Sequence, residues 1–138
     1  MLNQRRRGWD GLVVIKLTFC LRRRPDLSRE EFQAYWLGTH GPLVRERAEL
    51  LGCRRYVQVH TLELQGIHEA FQRRNGGAPE AFDGVAELWF DDLDAIGADD
   101  EARRSATQEL LADERNFIDL PNSPMWLGTE HHIVDTAG

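Results

Sequence analysis

An α+β fold, with four antiparallel strands and its helices on one face of the sheet, is predicted by three observations. An alternating, β-rich run occupies residues 12–21, a capped segment of helical periodicity follows it, and two more alternating runs precede a second helical stretch. With the closing MWLGTEHHIV the order reads β-α-β-β-α-β, the ferredoxin-like plan. A chain of 138 residues suits one core and is short for two. The expected organisation is a polar, flexible segment over 1–10 and a single domain over 11–135.

LVVIKLTFCL (12–21) is rich in β-branched and aromatic residues and reads as the first strand. After RRRPD, Ser28 and Glu31 make an S-x-x-E capping box, which starts the first helix near Arg29. Phe32, Tyr35 and Trp36 recur at helical spacing, and His40 continues the stripe four residues on. Pro42 disfavours helical geometry at Gly41, so this helix is expected to end by about Thr39, with His40 at its terminus or just past it. A second helical piece then carries Leu43, Val44, Arg47, Leu50 and Leu51, and Gly52 supplies a left-handed stop. CRRYVQVHTLEL (53–64) and FDGVAELWF (82–90) read as the second and third strands. Between them lie a short helical turn at GIHEAF and the irregular loop QRRNGGAPEA, so residues 65–81 are a candidate lid. Asp91-Asp92 opens a second helical region that breaks near Gly97 and resumes through Leu110, Leu111 and ADERNFID, and 125–134 is the fourth strand.

Alternation divides the strand residues into two faces. Val13, Ile15, Leu17, Phe19, Val57, Val59, Ala86, Leu88, Leu127 and Ile133 can pack on the helices. The other set holds Val14, Lys16, Thr18, Tyr56, Gln58, His60, Val85, Glu87, Trp89, Trp126, Glu130 and His132. Its aromatics are poorly placed in water and its ionisable groups in a dry core. A half-polar pocket between two such sheets in a homodimer reconciles them, although a one-residue slip of register would exchange the two sets.

Composition removes several classes of function. The chain is 41% hydrophobic and 29% charged, without the run of about 18 apolar residues that a membrane helix needs, so no membrane insertion is expected. A net charge of −6, with arginine clusters only at Arg5 to Arg7 and Arg22 to Arg24, argues against a nucleic-acid partner. The amino terminus has no signal-peptide pattern, which implies a cytoplasmic location. Cys20 and Cys53 lack C-x-x-C spacing and read as buried thiols.

LSREEFQAYWLGTHGPLV (27–44), RRYVQVH (54–60), FDGVAELWFDDLDAI (82–96), LADERNFID (111–119) and the late Glu130 resemble the EthD-like family of dimeric α+β barrel proteins. The F-x-x-Y-W-x-x-x-H-x-P-L block is the most specific part. The resemblance implies a ferredoxin-like protomer whose sheet meets a partner's to close a barrel. The activities it brings are varied: accompanying a cytochrome P450 system in ether breakdown, dehydration of polyketide aromatics and, among wider relatives, cyclisation, isomerisation and cofactor-free or haem-assisted monooxygenation. Fold alone does not choose among them.

His40 has two readings: a proton shuttle at the mouth of the barrel, which the resemblance favours, or a donor to a carbonyl at the broken helix. Glu87 and Glu130 fall on one predicted face with His60 and His132 and can converge as acid and base, or can pair with Lys16 across the sheet. Trp36, Tyr56, Gln58, His60, Trp89, Trp126 and His132 are the expected substrate-binding residues, with Tyr56, Trp89 and Trp126 able either to stack on a planar ligand or to pack at an interface. Asp83 reads as shaping an Asp-Gly turn, and His68 as solvated. His131 and His132 point to opposite faces and no H-x-x-x-H spacing occurs, so neither a metal nor another cofactor is expected. The expected function is a cofactor-independent dehydratase, cyclase or isomerase acting on a small hydrophobic ring or polyketide-like compound, with His40 and Glu87 or Glu130 as its acid and base. The alternatives are a non-catalytic ligand-binding accessory of an oxidoreductase and a monooxygenase.

Overall fold

The computed structural model describes residues 14–136; the 1–10 segment, Leu12 and Val13 lie outside this range. Strands β1 (Ile15–Leu21), β2 (Cys53–His60), β3 (Gly84–Phe90) and β4 (Met125–Thr129) form one antiparallel sheet in the order β2-β3-β1-β4, the ferredoxin-like arrangement. The helices are α1 (Arg29–Tyr35), α2 (Gly41–Arg47), α3 (Gln65–Arg74), α4 (Leu93–Gly97) and α5 (Glu101–Glu114), with a π-helical turn (Trp36–His40) joining α1 to α2. Among the described residues no helix is long and apolar enough to cross a membrane.

Local chemistry explains most of these boundaries. Ser28 and Glu31 make both bonds of the expected capping box, and Asp92 and Asp100 cap α4 and α5 through their side chains. Gly52 ends the turn after α2 at φ 75°. Two expectations need correcting. The helix does not stop before Pro42 but passes through it, so His40 lies inside a continuous helical run. Residues 65–74 form a regular helix rather than one short turn, although none of its residues is buried, and for that reason no core-facing stripe announced it.

The faces of β1 and β3 follow the predicted alternation, but those of β2 are reversed. Cys53 pairs with Phe90 and Arg55 with Trp89, so two steps along β2 oppose one along β3. That bulge turns every later side chain over. Tyr56, Gln58 and His60 lie opposite Leu88, Ala86 and Gly84 on the helix side, whereas Val57 and Val59 share the open face with Glu87 and Val85. The fourth strand ends at Thr129, which leaves Ile133 88% exposed instead of on the helix face.

The core lies between the sheet and the helices: Phe19, Leu21 and Ala86 from the strands meet Phe32, Trp36, Phe117 and Ile118. The Trp36 indole lies flat on the His60 ring, 4.5 Å away at 13°, and against the backbone at Gly84. Asp83 does more than shape a turn. It is buried, accepts the Arg23 amide at 2.8 Å and holds the Arg29 guanidinium at 3.0 Å, tying the ends of β1 and β3 to the start of α1. Cys20 and Cys53 are free and buried, as their spacing suggested.

A Cβ at Gly84 would overlap the Trp36 ring and stand 3.0 Å from the Val59 carbonyl, both fixed groups. Gly84→Ala is therefore expected to destabilise the protein by about 1–3 kcal/mol in urea unfolding. Gly38→Ala, in open space within the helical run, is expected to stabilise it by about 0.5–1 kcal/mol. Equal effects at the two positions would remove the packing argument.

Candidate active site

His40 owes its position to Pro42. A regular α-helix would set the proline ring against the carbonyl four residues earlier and lacks a use for its missing N–H. The π-turn widens the helix there instead: the Gly41 amide donates to the Trp36 carbonyl five residues back. Gly41 has no Cβ to oppose the ring of the following proline, and a Cβ there would come within 3.3 Å of the Gln58 amide. The Trp36 carbonyl also accepts from Gln58 Nε2 at 3.0 Å, which fastens the turn to β2. His40 is thereby turned inward, only 4% exposed, with its ring 5.0 Å from that of Phe117.

Two consecutive acids of α5 face it. His40 Nδ1 stands 2.7 Å from Asp113 Oδ2, and the other oxygen of Asp113 accepts the Tyr35 hydroxyl at 2.5 Å. Asn116 Nδ2 donates to the Tyr35 oxygen at 3.2 Å. His40 Nε2 lies 3.9 Å from Glu114 Oε2. Burial alone would raise the Asp113 carboxyl, but the bonds from Tyr35 and His40 outweigh it and hold the group below its ordinary range. As an anion Asp113 only accepts, so Nδ1 carries the imidazole proton and Nε2 presents a lone pair. Burial pushes the His40 pKa down, against the opposing pull of Asp113. Burial, with the Asp113 charge added, raises Glu114 to about 7. Near neutrality the pair is a neutral, oriented imidazole beside a carboxyl that is still partly protonated, which is the composition of an acid/base couple.

His40 and Glu114 open into a cavity of about 590 Å³ between the sheet and the helices. Leu17, Leu88 and Phe90 form its floor, Val44 and Leu51 one wall, Leu110 and Leu111 another. Ala95, Ile96 and Ala98 cover it beside Arg103 and Arg104. Residues 65–81, the expected lid, lie elsewhere: Gln65, His68, Gln72 and Glu80 border a separate polar basin next to α1. Among the described residues no three His, Cys, Asp or Glu side chains are placed to hold a metal ion.

The structure divides the expected site residues between the two sides of the sheet. His40, Trp36 and Tyr56 line the cavity. Gln58 and His60 are on the same side, bonded to each other at 2.7 Å and bordering a neighbouring groove. Glu87, Trp89, Trp126 and Glu130 are on the other side or its margin and do not meet His40. There Lys16 binds Glu87 at 2.8 Å and Glu130 at 3.6 Å, the pairing that would make these acids structural. Trp89 lies between Lys16 and Arg55 and donates to Glu130 at 2.6 Å. His132 lies beyond β4, its side chain 68% exposed. Sequence reasoning passed over Asp113, Glu114 and Tyr35. A signal existed: Glu114 is four residues after Leu110 and three after Leu111, an acid on the apolar stripe of its own helix.

The family model described as the EthD domain matches residues 24–121. A protein named decarboxylase AgnL1, from Paecilomyces divaricatus, is 24% identical over 127 residues, covering 88% of this chain and 81% of its own length. Among solved structures, an EthD family protein from Bacillus halodurans C-125 superposes with a TM-score of 0.55 at 17% identity, over 86% of this chain and 99% of that one. A dimeric protein of unknown function and ferredoxin-like fold from Bacteroides fragilis NCTC 9343 gives 0.53 at 11% identity, over 85% and 96%. At these identities the solved structures speak for the fold.

Glu114 makes a pH-dependent contribution whose sign follows from its shift. Between its ordinary 4.5 and about 7 the folded protein keeps a proton that the unfolded chain releases, so the contribution is full below 4.5 and lost as pH rises through 7. Glu114→Gln is expected to gain on wild type by ~2–3 kcal/mol between about pH 5 and about pH 8 in urea denaturation. The depressed His40 pKa acts in the opposite sense below its ordinary 6.5 and is common to both proteins. A constant difference across that range would show that Glu114 titrates normally.

Proposed function

The chain belongs to the EthD domain family, and from that premise we propose that it is a small-molecule lyase or isomerase working by proton transfer in the cavity beneath the sheet. The observation that carries this reading is the His40–Asp113 pair, aimed by Tyr35 and opening beside Glu114 into an otherwise largely apolar chamber. His40 Nε2 removes a proton from a carbon next to a carbonyl, and the C–H electrons form the enolate double bond. Asp113 stabilises the imidazolium that results. In a dehydration the C–O bond then breaks and Glu114 protonates the departing hydroxyl, giving water. The imidazolium returns its proton to the Glu114 carboxylate 3.9 Å away, which resets both groups. Every proton is accounted for by the two side chains.

The name of the Paecilomyces divaricatus relative supports a neighbouring reaction on the same groups. There His40 takes the proton of the substrate's carboxylic acid, the C–C bond breaks, carbon dioxide leaves, the carbanion or enolate left behind is protonated by Glu114, and the imidazolium returns its proton to the Glu114 carboxylate. The cavity suits a ring system of a few fused or linked rings, which agrees with the small hydrophobic substrate expected from the sequence.

The protein acts as a homodimer in this reading, joined through the open face of the sheet. Val59 and Trp126 are about half exposed there, and the dimeric protein of the same fold supports the dimeric state.

Deuterium uptake from solvent at the α-carbon of 1-tetralone, followed by NMR, tests the chemistry. Wild type is expected to catalyse exchange at a rate that rises as His40 loses its proton below 6.5 and then levels off, since exchange draws on the base and has no leaving group for Glu114 to protonate. His40→Asn and Asp113→Asn are expected to lower the rate by about 10²–10⁴. Binding of the ketone with no exchange in wild type would favour a carrier that hands its ligand to an oxidoreductase.

A further inference from the structure

We infer that Tyr56 is the hydrogen-bond donor that receives the substrate's oxygen, so that the compounds this cavity takes are ring-bearing ketones or their enols. The inference rests on the proton-transfer reading above and adds the group that reading lacks, one to hold the oxygen on which charge develops.

Tyr56 reaches the cavity because the bulge at the start of β2 turns it toward the helices, and it lines the same chamber as His40 and Glu114. Its hydroxyl direction is set by Gln58. The Gln58 Oε1 atom meets His60 Nε2 at 2.7 Å, while Gln58 Nε2 donates to the Trp36 carbonyl at 3.0 Å and to the Tyr56 oxygen at 2.8 Å. The amide has no alternative orientation: turned over, its oxygen would face the Trp36 carbonyl, two acceptors in contact. Gln58 is thus always the donor to Tyr56, and the phenol hydrogen has to point elsewhere. Among the described residues it has no acceptor, and the partly buried phenol leaves that hydrogen for a group in the space the ring borders. A ligand oxygen in the cavity completes it.

The electrostatics keep that hydrogen in place. Burial, joined by the Glu114 charge, raises the Tyr56 pKa against the bonds from Gln58 and Trp36. The phenol therefore donates a hydrogen bond and does not surrender its proton. As His40 Nε2 takes the α-proton, the electron pair moves into the carbon–carbon bond and the carbonyl oxygen becomes negative, where a fixed donor in a water-poor chamber is most effective. Gln58 is a positioning residue for Tyr56, and through the Trp36 carbonyl it also holds the turn that carries His40.

The test compares 1-tetralone with tetralin, the same bicycle without the carbonyl, by isothermal titration at about pH 8.5, where Glu114 is ionised and no longer donates. Wild type is expected to prefer the ketone by about tenfold, one hydrogen bond's worth. Tyr56→Phe is expected to keep its affinity for tetralin, which reports an intact cavity, and to lose the preference. Gln58→Leu, which leaves the phenol but frees its direction, is expected to weaken it. The infrared carbonyl stretch of carbon-13-labelled tetralone is expected to fall on binding to wild type and to return toward its free position in Tyr56→Phe. A preference or a stretch shift that survives in Tyr56→Phe would overturn the inference, as would equal binding or no binding of the two compounds by wild type. Loss of deuterium exchange with the Tyr56-dependent preference intact would sink the proton-transfer reading alone; exchange without that preference would sink only the role of Tyr56.

Discussion

Proline 42 has no amide hydrogen, and much of the site follows from how the helix accommodates that. Interrupting the helix would have left His40 at an exposed end, free to satisfy a carbonyl. Widening one turn keeps the helix continuous and rotates His40 onto α5 and Trp36 onto the sheet. The same turn leaves the Trp36 carbonyl accepting from both Gly41 and Gln58, so strand and helix are locked at the residue where the backbone departs from regularity. Gly84 is the counterpart on the strand, the position where only a hydrogen fits under the indole.

Adjacent residues of one helix meet opposite fates in this site. Asp113 turns toward three hydrogen-bond donors and stays ionised, while Glu114 turns into a chamber with few polar groups and holds its proton to about 7. The separation comes from helical geometry: neighbours in sequence point about 100° apart, so one side chain lies at the edge of the core and the next inside it. The charge on the first contributes to keeping the second neutral. Two adjacent carboxyl groups thus take opposite protonation states without any unusual residue, because their surroundings differ.

The fold was legible in the sequence because its signals are local and mutually consistent: the Ser28 capping box, alternation in β1 and β3, and Gly52 as a stop. The site was legible only in part. His40 stood out, but its partners were sought among Glu87 and Glu130 because the half-polar pocket was expected on the open face of the sheet, and a two-residue period carried through β2 without the extra residue near Arg54 set Tyr56, Gln58 and His60 on that face too. Bulges of that kind leave no mark in hydropathy. The π-turn was hidden for a related reason, because proline ordinarily signals an end and only the tertiary contact from Gln58 favours continuation. Glu114 had a mark, an acid on an apolar stripe, but a mixed helix surface around it made that stripe hard to see.

Helix α3 buries none of its side chains and is followed by Gly76 and Gly77, both at positive φ. The strands on either side of it are joined directly by their own ladder, so the connection contributes little that the sheet does not already have. Loop length weighs only weakly on stability, and exposed tips accept insertion well. It borders neither the cavity nor the π-turn. The stretch from Gln65 to Glu80 is accordingly the part of this architecture most open to evolutionary remodelling, where a segment can be lengthened, trimmed or replaced while the His40–Asp113–Glu114 cluster between the π-turn and α5 stays untouched.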